Sequence, residues 1–226
     1  MTDKIDSQEH HESVDTKYLQ VLIQLRKLGL LKKEDIKSYG LLSKLCDQKY
    51  FAEKRIRFLV EWDPSTLLHP EQRDELLPLH YAIGGCPSPA MQRLQFVFEY
   101  GIHYFPKKKG ISLLFKKNNH GRYTPFQYAC KRFGEEQVIK MIEDTFIRYY
   151  SSSDDTPPLN VVDALMTAAI DEGIHLDCVY FLLRRQPDIL QKLLSSASNS
   201  TTAKATVDIV VFTSNGNGIN PKKRKR

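Results

Sequence analysis

Two strings in this chain, AEKRIRFLVEW (Ala52 to Trp62) and AMQRLQFVFEY (Ala90 to Tyr100), match in unbroken register. Each has Ala first, Arg three residues on, then an apolar cluster, Glu and a closing aromatic. Ile56, Leu59 and Val60, like Leu94, Val97 and Phe98, fall at i, i+3 and i+4, one face of a helix. EEQVIKMIED repeats the face with Val138, Met141 and Ile142, and LDCVYFLLRR with Val179, Leu182 and Leu183. A shorter apolar string precedes each copy: LSKLC, LHYAI, FQYAC and MTAAI. Their fourth positions are Leu45, Ala82, Ala129 and Ala169, where a small residue lets two helices approach closely. Self-similarity of this kind predicts an all-α chain of stacked helix-turn-helix units, each unable to bury its apolar face alone. The unequal spacing of the fourth positions implies loops of differing length between units.

LPLHYAI (Leu77 to Ile83) and TPFQYAC (Thr124 to Cys130) resemble the T-P-L-H-x-A motif of ankyrin repeats. HGRYTPF resembles the Gly-x-Thr-Pro turn that opens such a repeat, with one residue inserted. Thr124 is suited to cap a helix and Pro125 to its first position, with Pro78 in the equivalent place. The resemblance implies an α-solenoid of about four ankyrin-like repeats and gives His80 a structural role, hydrogen-bonding between units. Gln127, Thr167 and Ser43 stand where the other units would carry that His, and the fourth unit lacks Thr-Pro. The match is specific for the middle two units and rests on pattern alone for the outer two.

The expected organisation is a disordered acidic tail over 1–17, a repeat domain over 18–194, and a disordered tail over 195–226. Within the domain, a capping helix over 18–31 (YLQVLIQLRKLGLL) ends near Gly29, its Leu, Val and Ile buried against the first unit. Repeats follow at about 37–69, 74–106, 121–150 and 160–194. No run is apolar enough to span a bilayer, and the first residues lack the apolar core of a secretory signal. Cys46, Cys86, Cys130 and Cys178 are too widely spaced for a zinc motif and read as small packing residues.

The net charge of +6 is carried unevenly. The connection between the second and third units holds Lys107, Lys108, Lys109, Lys116, Lys117 and Arg122 without an acid between them. Its charges suit either a solvated loop or a basic finger for an acidic partner or a phosphate backbone. Ile111, Leu113, Leu114 and Phe115 between the two clusters imply that the loop partly packs down. The chain ends in Pro221, Lys222, Lys223, Arg224, Lys225 and Arg226, which resembles a monopartite nuclear localisation signal. Val207 to Phe212 (VDIVVF) is similar to SUMO-interacting segments, though its acidic flank is thin.

Phosphate-binding, nucleophile-elbow and zinc-protease motifs do not occur. His10, His11 and His69 have no nucleophile or carboxylate at meaningful spacing, and Glu135 and Glu136 read as first-turn charge matched to the helix dipole. The expectation is a non-catalytic scaffold without cofactor or metal. It would present Tyr81, Arg122, Tyr123, Gln127 and Tyr128, with the lysines of the basic connection, to a protein partner. An import receptor reading the tail would place it in the nucleus, the alternative being the cytoplasm. The rival reading is nucleic-acid binding through the 107–122 connection and the basic tail.

Overall fold

The computed structural model describes residues 2–85, 87–105, 109–117, 123–151, 161–189, 191 and 195. Eleven α-helices occur among them: α1 (Thr2–Lys27), α2 (Lys33–Ser38), α3 (Leu41–Cys46), α4 (Glu53–Trp62), α5 (Pro78–Gly84), α6 (Pro87–Tyr104), α7 (Lys109–Phe115), α8 (Pro125–Phe133), α9 (Glu135–Ser151), α10 (Val161–Ile170) and α11 (Asp177–Arg185). No strand occurs among the described residues, only an isolated bridge between Lys116 and Ile174. The chain is all-α. It divides into two units, Met1–Leu182 and Leu183–Arg226.

Helices pair along the chain, α3 against α4, α5 against α6 and α8 against α9. The first members also touch in sequence, α3 with α5 and α5 with α8, and α6 lies against α9. The predicted apolar face is the buried one in three pairs: Ile56, Leu59 and Val60; Leu94, Val97 and Phe98; Val138, Met141 and Ile142. Ala82 and Ala129 are fully buried where the close approach of first helices requires small side chains.

The helices α10 and α11 depart from the expected register by one residue. Cys178, Phe181 and Leu182 are buried instead of Val179 and Leu183, and Ala168 is buried while Ala169 and Ile170 face solvent. Apolar residues occupy both candidate faces of these helices, so periodicity alone did not choose between them. Phe181 decides it: the ring packs on Phe115 at 5.7 Å and on Phe126 at 6.5 Å.

The amino end also differs from expectation. Residues 2–17 are not a tail but the first turns of α1, which runs unbroken to Lys27. Gly29 (φ 71°) closes it in the left-handed conformation, with the Leu30 amide returning to the Leu25 carbonyl. Asp15 holds α1 to α4. That helix begins after Ala52, which has no side chain to cap it, and Asp15 supplies the cap from outside. One carboxylate oxygen accepts from the Lys54 amide at 2.9 Å, the other from Arg55 Nε at 2.6 Å. Arg55 is itself buried and also donates to the Tyr50 hydroxyl at 2.8 Å. The apolar side chains of α1 are less covered than expected, with Tyr18 and Val21 exposed, as is Leu28 just past its end.

The basic connection contains α7, whose Ile111, Leu113, Leu114 and Phe115 are all buried. Two glycines let α7 cross α6. A Cβ on Gly110 would lie 2.6 Å from the Phe105 carbonyl oxygen and 2.8 Å from that of Gly101. The segment after α7 is pinned to the turn before α11. The Lys117 amide donates to the Gly173 carbonyl and the His175 amide to that of Phe115, each at 2.8 Å.

Removing one member of a buried ion pair strands the other, a loss of about 3 kcal/mol. Asp15→Asn should therefore lower the denaturant midpoint sharply, with protection of α1 amides from hydrogen exchange lost first. The double variant Asp15→Asn/Arg55→Met should recover part of that stability.

Candidate functional site

The expected surface on α5 and α8 is made largely of side chains already engaged within the fold. His80, buried at the start of α5, accepts at Nδ1 from the Leu77 amide at 3.1 Å. Its Nε2 therefore carries the proton and donates to the Tyr123 carbonyl of the next pair at 3.2 Å. Burial drives its pKa down to about 4, so the ring is neutral when it makes both bonds. Gln127 occupies the equivalent place in α8 and does the same work. Its Oε1 accepts from the Thr124 amide at 3.1 Å and its Nε2 donates to Asp177 of α11 at 2.9 Å. Thr124 completes a reciprocal cap by accepting from the Gln127 amide at 3.2 Å, with Pro125 at the first helical position as predicted.

Tyr81 donates its hydroxyl to Asp74 at 2.7–2.8 Å, and burial followed by Asp74 raises its pKa. Tyr128 is half-buried, its hydroxyl close to Gly84 of α5. Tyr123 alone of these stands open, 53% exposed, with Lys131 Nζ 4.8 Å above its ring. Lys116 is exposed, while Lys117 Nζ donates to the Glu172 carbonyl at 3.1 Å. Lys107, Lys108, Arg122, the side chain of Lys109, residues 207–212 and Pro221 to Arg226 lie outside the described residues.

A second surface was not anticipated. The helices α6 and α9, with 18 and 17 residues, outrun the α4 and α11 helices of 10 and 9. Between their last turns lies a recess of about 430 Å³, lined by Glu61, Glu99, Tyr100, His103, Tyr104, Thr145, Arg148 and Tyr149. Aromatic rings run along α6 one turn apart: Phe96 and Tyr100 at 5.0 Å between centroids, Tyr100 and Tyr104 at 6.1 Å. Phe51 stands edge-on to Phe96 at 5.2 Å, extending the row toward α4. Glu99, its pKa raised by burial against the opposing pull of Arg148, pairs with that guanidinium at 2.6 Å. Tyr100 donates to Glu61 at 3.3 Å, and burial pushes its pKa up to about 12, so the phenol keeps its proton. A larger hollow of about 910 Å³ adjoins the recess through Glu99 and Arg148 and continues toward Asp15 and Tyr50.

The sequence carries a signal for this row: Phe96, Tyr100 and Tyr104 recur every fourth residue on a stripe of α6 that flanks its core residues. Among the described residues no cluster of His, Cys, Asp and Glu could hold a metal ion. No described helix is long and apolar enough to cross a membrane. Cys46 and Cys178 are buried, and burial pushes each thiol up to about 12, which leaves them poor nucleophiles. Comparison with protein-family models, with curated proteins and with solved structures finds no match.

The His80 ring is held neutral in the fold, so an unfolded chain takes up a proton first as the pH falls. Stability should fall below about pH 6.5, by at most ~1.4 kcal/mol per pH unit, until the folded ring titrates near 4. His80→Gln, which copies the bonding of Gln127, should flatten that portion of the pH–stability profile measured by denaturant titration.

Gln127→Ala removes both a cap and a link to α11 and should destabilise by about 1–2 kcal/mol. Tyr123→Ala, at an exposed ring, should stay within ~0.5 kcal/mol of the parent in thermal unfolding.

Proposed function

We propose that this chain is a non-catalytic protein-interaction scaffold built from divergent ankyrin-like repeats and carried into the nucleus by its basic C-terminal end. The observation that carries the reading is the shared bonding of His80 and Gln127. At one motif position in two units, different side chains cap their own helix and reach the next unit. A joint that recurs while the residue type changes is what a stack of repeats requires, since each unit is stabilised mainly by its neighbours. Support also comes from the buried faces of α4, α6, α9 and α11, which superpose on one pattern once the last is moved by one residue.

Binding is the role such a stack suits, because its rims and outer helix faces stay open while its core is continuous. The open Tyr123 with Lys131 beside it, and the aromatic row of α6, are the surfaces offered to a protein partner. Aromatic and basic side chains of this kind anchor protein interfaces. Pro221 to Arg226 is the segment for an import receptor.

Nucleic acid is the rival partner, and the two differ in their response to salt. A phosphate-bound complex making several contacts loses on the order of a thousandfold in affinity between 50 and 200 mM salt. The full chain should show at most such weak, salt-quenched binding to labelled single- and double-stranded oligonucleotides. Its capture of a protein from nuclear extract should survive 200 mM salt and be lost on Tyr123→Asp. A reporter fused to residues 195–226 should enter the nucleus, and one lacking 221–226 should not. Tight oligonucleotide binding abolished by Lys116→Glu would overturn the scaffold reading in favour of its rival.

A further inference from the structure

The recess between α6 and α9 has a chemistry of its own, independent of whether the units are ankyrin-like. Four of its eight lining residues, Tyr100, His103, Tyr104 and Tyr149, carry rings. Tyr100 and Tyr104 lie within 24° of parallel and form one side. The His103 ring stands at 80° to Tyr104 and 82° to Tyr149, with centroids 4.8 and 6.4 Å away, so the sides meet almost at right angles. Aromatic faces are negative, and several converging on one space attract a cation.

The charges agree with the rings. Arg148 is engaged by Glu99 at 2.6 Å, which makes that pair neutral as a unit, and its Nε donates to the Asp144 carbonyl at 3.3 Å. Arg57, one turn before Glu61 on α4, is bridged to Glu53 at 2.7 Å and leans over Phe96. The carboxylate of Glu61 has the neutral Tyr100 phenol as its hydrogen-bond partner. Among the described residues, Glu61 thus places a carboxylate at the mouth of the recess, with Arg57 near enough to act on Tyr100 as well.

We propose that this recess binds a methylated ammonium group, with Tyr100, His103, Tyr104 and Tyr149 around the methyls and Glu61 facing the positive charge. A bare lysine ammonium holds its water strongly and would give up more on entering than the rings return. Methyl groups spread the charge and loosen that hydration, and they match apolar ring faces. The right-angled walls suit a rounded head better than a flat guanidinium, which stacks on a single face. A methylated lysine in a peptide and a free choline-type amine share this chemistry.

The test is an NMR titration of the full chain at constant ionic strength, using tetramethylammonium chloride, guanidinium chloride and uncharged tert-butanol as probes. Tetramethylammonium should saturate and shift the ring resonances of Tyr100, His103, Tyr104 and Tyr149, with affinity about tenfold above that of tert-butanol. Glu61→Gln and Tyr104→Leu should each weaken it about fivefold or more, while Tyr104→Phe should retain it and show the fold intact. A trimethyllysine peptide binding more tightly than choline would assign the site to a protein ligand, and the reverse order to a free amine. Absence of saturable shifts, shifts centred elsewhere, equal binding of tert-butanol, tighter binding of guanidinium, or indifference to Glu61→Gln would each overturn the proposal. Loss of the scaffold reading would leave these shifts untouched, so the two fail separately.

Discussion

Short helices leave most of their backbone ends without partners, and eight of the eleven described helices here have ten residues or fewer. A helix has four unpaired amides at one end and four unpaired carbonyls at the other. For α3 or α5, with six and seven residues, that is nearly the entire backbone. The structure meets the demand by lending side chains across helix pairs. Asp15 caps α4, and the buried Arg93 of α6 donates to the carbonyls of Ala82 and, a pair earlier, Gln48. Arg132 of α8 donates to the carbonyls of Ile83 and Gly85 at the end of α5. His80 and Gln127 carry the exchange forward to Tyr123 and Asp177. Apolar burial supplies the bulk of the stabilisation, but it is non-directional and would tolerate sliding. These cross-unit bonds fix where each pair sits.

Such bonds explain what could be read from the sequence and what could not. Apolar period and the Thr-Pro caps are local, so the helices and the buried faces of α4, α6 and α9 were legible from residues a few positions apart. The role of Asp15 depends on Arg55, 40 residues away, and on an α4 start that lacks its own cap. Nothing near Asp15 announces this, and its acidic neighbours made residues 1–17 look like a solvated tail. The register of α10 and α11 failed for a different reason. Leu165, Ala168 and Ala169, like Cys178, Val179 and Leu183, offer two overlapping apolar stripes, and the choice was made by Phe115 from the inserted helix.

The candidate sites show the same division. Tyr123 was expected at a surface and is there, whereas Gln127 was expected to face a ligand and instead joins two helix pairs. A polar residue at a motif position normally held by His could have been read as a substitute for its bonding. The recess of α6 and α9 lies away from the first helices and the lysines, where the repeat motif and the charge are concentrated. Its rings come from two helices about 45 residues apart, and their convergence follows from the lengths of α6 and α9, which sequence bounds only loosely.

The inserted helix α7 has a mechanical consequence. It is anchored at one end by the close glycine crossing with α6 and at the other by paired amides to Gly173 and Phe115. Force applied at the exposed Lys116 side chain would not be taken up by slack. It would load the Lys116–Ile174 bridge first and then pass through Phe115 and Phe181 into α11. A molecule tugging on that lysine would therefore be felt in α11, through the ring of Phe181.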